Sequence, residues 1–300
     1  MTAIKAQKMT KVYNGVTVVN GIDLKVEKGE IFGFLGRNGA GKSTFINMLT
    51  GIAKPTSGSF TLLNGDTEAT EVKRRIGVMP DYSTFYGSTT ALEHLRFFSS
   101  LSGKPAQKSA CMEALEAVGL AEHANKKAGK FSFGMKKKLG VAQAIIHDPE
   151  LLFLDEPTSG MDAESVIQIQ RLIKSLHNKG KTIFLTSHNL DEVEKLCTRI
   201  AIMKEGRIVK IGTMDELRAF YRTNIIVKIR HSIVPVSEEQ KLRQWLEGKG
   251  TDVQFGDKLT FITVDEDKRI AEITRAFTAC KTDIFRVEVE EPTLEEIFLD

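Results

Sequence analysis

The sequence predicts an α/β protein with a largely parallel core sheet, an inserted helical subdomain and a small α+β unit at the C-terminal end. Three observations carry that expectation. Apolar runs that read as strands alternate with amphipathic stretches through residues 1–222. Strand signals stop between about 85 and 148, where only helical periodicity remains. Past 222 the pattern restarts in the order β-α-β-β-α-β.

Within residues 1–222, strands are expected at 30–35, 59–63, 75–79, 150–154, 182–186, 199–203 and 207–211. Helices are expected at 42–50, 90–101, 108–118, 134–147, 163–178, 189–196 and near 214–221. The unbroken apolar run Leu151-Leu-Phe-Leu154 is what a strand covered on both faces requires. The helix after Lys42 is closed by Gly51. Beyond 222, Ile225–Ile229 reads as a strand, and Leu242, Trp245 and Leu246 share a helical face. Strands 251–255 and 259–264 meet at Gly256-Asp257. Helix 267–280 carries Ile270, Ile273, Phe277 and Cys280 as a stripe, and Ile284–Val289 closes a ferredoxin-like order. Two domains follow, 1–222 and 223–300.

Composition narrows the classes. The 300 residues are 41% hydrophobic and 27% charged, as in ordinary globular proteins. A net charge of +3 gives no reason to expect nucleic acid. The basic run Lys136-Lys-Lys138 sits at the polar start of a helix and reads as solvated or as lying near a partner chain's phosphates. Three scattered cysteines point to reduced thiols in a cytosolic setting. No apolar stretch approaches the ~20 residues of a spanning helix, and the N-terminus lacks a signal peptide's apolar core. Of six histidines, only His188 has a motif around it, and none shows metal-ligand spacing.

The chemistry is concentrated in Gly36-Arg37-Asn38-Gly39-Ala40-Gly41-Lys42-Ser43-Thr44. This is the phosphate-loop pattern G-x-x-x-x-G-K-[ST], set between an apolar strand and a helix. Its glycines let backbone N–H groups approach phosphate oxygens, and the helix aims its positive end at the same anion. Lys42 adds a charge for the outer phosphates, and the Ser43 hydroxyl can ligate Mg²⁺. A second motif, Leu151-Leu-Phe-Leu-Asp155-Glu156, puts Asp155 at a strand end where it can hold the Mg²⁺ shell. Glu156 is then placed to orient or deprotonate the attacking water. ATP and Mg²⁺ are the expected cofactors.

Four further segments follow the order found in the ATP-binding subunits of ABC transporters, which residues 1–220 resemble. Phe131-Ser132-Phe133-Gly134-Met135 resembles that family's signature sequence. Ser159-Gly-Met-Asp162 looks like its D-loop, and His188 like its switch histidine. Tyr13 stands where the family has an adenine-stacking aromatic. The resemblance implies an ABC-type phosphate-loop ATPase whose chains dimerise head to tail around two ATP molecules. Ser132 and Gly134 of one chain would then face the γ-phosphate held by the other, and Asp162 would border the nucleotide. It further implies a homodimer or heterodimer of such subunits that is cytoplasmic and docked on a membrane permease at the inner face of the cell membrane. The other readings are an ABC ATPase outside transport and a low-turnover ATP-binding regulator.

This sequence departs from the family at two points. Asp81 replaces the usual glutamine after 76–80; it can approach Mg²⁺ but cannot donate to water. On that basis Asp81→Gln is expected to hydrolyse ATP at an equal or faster rate. Phe133 and Met135 replace a glycine and a glutamine, a pattern resembling an exporter branch for drugs, antibiotics, polysaccharides or lipids. The tail Glu291-Pro-Thr-Leu-Glu-Glu-Ile-Phe298 and the stretch Thr90–Phe98 resemble the same branch, and the tail reads equally as a terminal amphipathic helix packed on the second domain.

Overall fold

The chain opens on two long strands, β1 (Thr2–Tyr13) and β2 (Val16–Glu27), turned at Asn14 and Gly15 with φ of 49° and 81°. Both central residues of a tight hairpin turn need positive φ, and Asn-Gly supplies it. The sequence reading placed no strand before residue 30, so this hairpin corrects it. Its pairing shifts register four times, and those bulges break the period-two alternation that marks a strand. β3 (Ile31–Leu35) then runs into α1 (Lys42–Leu49). β4 (Ser57–Leu62) pairs antiparallel with β1, giving a separate sheet of order β2-β1-β4.

The computed structural model describes residues 1–65, 70–81, 84–221 and 225–290, which fall into two units, Met1–Met214 and Asp215–Asp300. The tail 291–300 lies outside the described residues. In the first unit α2 (Thr70–Lys73) and β5 (Ile76–Met79) precede three helices with no strand between them. These are α3 (Ala91–Leu101), α4 (Lys108–Ala117) and α5 (Phe133–Ile145), and they form the inserted helical subdomain. Thr90 and Glu93 close a reciprocal capping box on α3. The chain returns through β6 (Leu151–Asp155), α6 (Ala163–Asn178), β7 (Thr182–Ser187), α7 (Leu190–Leu196), β8 (Arg199–Lys204), β9 (Arg207–Gly212) and α8 (Met214–Tyr221).

Six of these strands make one sheet of order β5-β6-β7-β3-β8-β9, parallel except for β9 at the edge. Every residue of β3, β6 and β7 is buried, which explains their unbroken apolar runs. Phe184 is the hub of the core. Its ring lies 5.7 Å from Phe32, 5.6 Å from Phe34, 5.8 Å from Phe153 and 6.3 Å from Phe45 of α1. The helix that begins at the phosphate loop is therefore clamped directly to the central strands. α5 lies against β5 so closely that a Cβ on Gly77 would collide with the Ala144 carbonyl oxygen. The helical subdomain is thereby fixed to the sheet beside β6.

The second unit contains β10 (Ile225–His231), α9 (Val236–Glu247), β11 (Thr251–Phe255), β12 (Leu259–Val264), α10 (Asp267–Ala279) and β13 (Ile284–Glu290). The sheet order β11-β12-β10-β13 is wholly antiparallel and ferredoxin-like. Leu242, Leu246, Ile273 and Phe277 bury against Val227, Ile229 and Ile262. His231 is fully buried among them, with Nε2 2.9 Å from the Thr260 hydroxyl and its ring 4.8 Å from Phe277.

Two expectations follow. Phe184→Ala should lower unfolding free energy by about 3–5 kcal/mol, read from urea denaturation, because the cavity opens where four rings converge. A chain ended at Thr223 should fold and still bind ATP by isothermal titration, since each unit buries its own core; an insoluble product would show that the two cores depend on each other.

Candidate active site

Parallel order brings the motifs together. β6, β7 and β3 are consecutive in the sheet, so the loops after them open side by side at its C-terminal edge. Those loops carry Asp155 and Glu156, His188, and the phosphate loop 36–44. In register, Asp155 sits opposite Thr186 and Leu35 opposite Ser187.

Gly41 adopts φ 105° and caps α1 without any side-chain hydrogen bond. A Cβ there would lie 2.6 Å from the Val18 carbonyl oxygen, so only glycine closes the loop in this shape. The first-turn amides of α1 keep their donor capacity for an anion. Arg37, Asn38, Gly39, Ala40, Gly41, Lys42, Ser43 and Thr44 line one hollow of about 180 Å³ together with Val18, Asp81 and Glu156.

Lys42 is only 5% exposed. Its Nζ donates to the Gly36 carbonyl at 2.6 Å and lies 3.3 Å from Glu156 Oε1. That ion pair lacks hydrogen-bond geometry, and Glu156 Oε1 has no hydrogen bond among the described residues. The other oxygen, Oε2, is 2.8 Å from Nδ1 of the half-exposed His188. Glu156 itself has φ 51°, a left-handed conformation that a non-glycine residue holds only under constraint.

Thr186 supplies part of that constraint. Its hydroxyl accepts the Glu156 N–H at 3.0 Å and donates to Asp155 Oδ1 at 2.5 Å. Burial raises the Asp155 carboxyl above its ordinary range; hydrogen bonds from Thr186 and Ser43 work against this, and the charges of Asp81 and Glu156 add to it. A buried carboxylate between a hydroxyl and two further carboxylates is a hard-oxygen donor set that suits Mg²⁺.

Behind the site lies a second network. Glu192 of α7, 3% exposed, accepts from Thr158 at 2.5 Å and from Ser187 at 2.7 Å. Burial pushes its carboxyl upward, while those two hydroxyls oppose the shift. Glu192 thus ties the segment after Glu156 to the end of β7. Thr158, Ser159, Gly160, Met161, Ser187 and His188 line a neighbouring hollow that Glu156 also borders.

The remaining sequence candidates stand elsewhere. Ser132 is the N-cap of α5, accepting from the Met135 N–H, with Gly134 in its first turn. Asp162 caps α6, and both of its oxygens are engaged by Ser165. Tyr13 ends β1, 45% exposed, with Lys11 Nζ 4.7 Å above its ring. None of these four lines the hollow around residues 37–44. Asp81 does, and its Oδ1 is paired with Lys137 Nζ at 2.6 Å.

Lys137 corrects the reading of the basic run as solvated, since it is 2% exposed. The usable signal was its helical phase, because Lys137, Gly140, Val141 and Ala144 share the buried side of α5. Thr186 and Glu192 were also missed. Thr186 could have been found as a polar residue closing an apolar strand, whereas nothing in the sequence marks Glu192 as buried.

Comparison with known proteins agrees with this geometry. The family described as ABC transporter matches residues 19–159, and the DrrA1-3-like ATP-binding protein C-terminal domain matches residues 212–300. The chain is 34% identical to the linearmycin resistance ATP-binding protein LnrL of Bacillus subtilis, covering 99% of this chain and 97% of that one. It belongs to the ABC transporter family. The bacitracin transport ATP-binding protein BcrA of Bacillus licheniformis is 43% identical over 72% of each chain. Among solved structures, a dimeric ATP-binding cassette in a post-hydrolysis state with ADP and Pi matches 70% of this chain and 98% of its own, at TM-score 0.66 and 25% identity. As an ABC ATPase, the chain binds ATP and couples its hydrolysis to transport.

Lys42→Ala removes the cation between the loop and Glu156. Isothermal titration should show ATP affinity about 10- to 100-fold weaker, the value of a lost charge-assisted bond, with the melting temperature little changed. Unaltered affinity would dissociate Lys42 from phosphate binding.

Proposed function

We propose that this chain is the motor of an exporter, working on a separate membrane permease, and that each of its sites is half of a catalytic centre completed by a second copy. The observation that carries this reading is the separation of the motif residues. The phosphate loop lines one hollow with Glu156, whose carboxylate meets His188, and Ser43 of the loop bonds Asp155, whereas Ser132 and Gly134 at the start of α5 do not line that hollow. A helix start with its own amides is an anion site, and its fitting partner is the γ-phosphate held by another chain.

The residue roles follow from chemistry. Amides of 41–44 and the Lys42 ammonium hold the phosphates. Ser43 and Asp155, with Asp81 beside them, would hold Mg²⁺, which when bound neutralises phosphate charge. Glu156 withdraws a proton from the attacking water, and His188 orients its carboxylate through the 2.8 Å contact. Tyr13 offers an exposed aromatic face for adenine, and Asp162 stiffens the segment facing the partner chain.

An export role is supported by the names of the relatives, which concern linearmycin resistance and bacitracin transport. Among the described residues no helix is long and apolar enough to cross a membrane, so membrane attachment is assigned to the permease, at the cytoplasmic face. The ATPase domain is assigned to residues 1–222 and an accessory domain to 223–300.

Glu156→Gln keeps shape and hydrogen bonding but removes the base, so turnover should fall by on the order of 10²-fold or more. ATP should still bind, and size-exclusion chromatography with Mg-ATP should show a dimer that Ser132→Arg abolishes. Turnover at the parent rate would remove Glu156 from catalysis.

A further inference from the structure

Lys137 lies one helical turn beyond Phe133 on α5, in a place where a cation is costly. A buried ammonium persists only where charge and hydrogen bonds compensate its lost hydration. Lys137 has two such partners. Its Nζ donates to Asp81 Oδ1 at 2.6 Å and to the backbone carbonyl of Glu156 at 2.9 Å. One side chain of the helical subdomain thus joins Asp81, two residues past β5, to Glu156, the residue after β6.

The second contact matters because of what Glu156 is. Its left-handed φ of 51° is disfavoured for any residue with a Cβ. The peptide before it is held by Thr186, which accepts the Glu156 N–H. The peptide after it is held by Lys137, with a longer bond of 3.3 Å from the Ser159 N–H. With both flanking peptides pinned, the carboxylate is delivered between Lys42 and His188. Asp81, in this arrangement, is the counter-ion that holds Lys137 in place.

We propose that Lys137 is a positioning residue for hydrolysis, acting through the Glu156 peptide, and that Asp81 serves as its counter-ion. This rests on the reading of Glu156 as the base. It also reverses the expectation from sequence for Asp81→Gln, because a neutral amide would leave a buried ammonium without its charge partner. ATP contacts from the phosphate loop do not involve Lys137, so the effect belongs to kcat rather than to binding.

The test is steady-state ATPase kinetics with ATP affinity measured in parallel. Lys137→Met should lower kcat by about 10- to 100-fold while the ATP dissociation constant stays within about threefold, as expected for a misplaced catalytic group. Lys137→Arg, which keeps the charge and two donors, should recover most of the loss. Asp81→Asn should also slow hydrolysis, and the neutral pair Asp81→Asn with Lys137→Gln should fold like the parent and hydrolyse faster than Asp81→Asn alone. That pair keeps the test decisive if Lys137→Met fails to fold. Parent kcat in Lys137→Met, parent kcat in Asp81→Asn, or a double variant no faster than Asp81→Asn would each overturn the proposal. Parallel measurement of Glu156→Gln separates the two readings. If it is inactive while Lys137→Met runs at the parent rate, only the positioning role fails; if it turns over normally, the base and the positioning role fall together.

Discussion

One buried carboxylate organises this protein's working end. Glu156 is 8% exposed, stands in a left-handed turn, and meets Lys42 on one oxygen and His188 on the other. A carboxylate so far from water persists because cations and donors surround it. Each of those partners reaches it from a different loop, and each loop leaves a strand adjacent in the parallel sheet. The strand order β6-β7-β3 is therefore a requirement of the site as well as of the core. The aromatic cluster around Phe184 holds β3, β6, β7 and α1 at fixed spacing, so the phosphate loop and Glu156 are carried on one rigid body.

The same geometry explains how nucleotide could join chains. The phosphate loop and Glu156 line one cradle, in which the amide donors at the start of α1 face an anion. The helix start at Ser132 offers such donors but lies outside that cradle. Closure between two copies would satisfy both halves at once, and loss of the γ-phosphate would remove the shared ligand. On this proposal ATP would act as adhesive, and hydrolysis as its release. Lys137, paired with Asp81, donates to the Glu156 carbonyl and so ties the helix capped by Ser132 to the turn bearing Glu156.

Much of this was legible in the sequence because it depends on local rules. The phosphate loop needs glycines at set spacing, and fully buried strands need continuous apolar runs; both patterns were visible at 36–44 and 151–156. The ferredoxin-like order after 222 was readable from amphipathic faces such as Leu242 with Leu246, and Ile273 with Phe277. What escaped depends on contacts between distant residues. The β1–β2 hairpin hid behind bulges and interleaved lysines, despite the Asn14-Gly15 turn. β4 read simply as a strand, and only its pairing with β1 shows that it belongs to the antiparallel sheet. Lys137 looked like one of three solvated lysines, because neither Asp81 nor Glu156 is near it in the chain. Thr186 bridges Asp155 and Glu156 across a strand pair, a role that only register reveals.

The central claim is that each site is built from two chains, and complementation between two inactive variants tests it most directly. A Lys42→Ala chain lacks the loop cation, and a Ser132→Arg chain lacks the trans donor, so neither should hydrolyse ATP alone. In a head-to-tail dimer of one of each, one site carries both defects and the other carries neither. Mixing the two in equal amounts should restore activity well above that of either variant alone, because only the mixed dimer contains an intact site. Activity that stays at the level of the separate variants would contradict the shared site and would mean that Ser132 serves the nucleotide of its own chain.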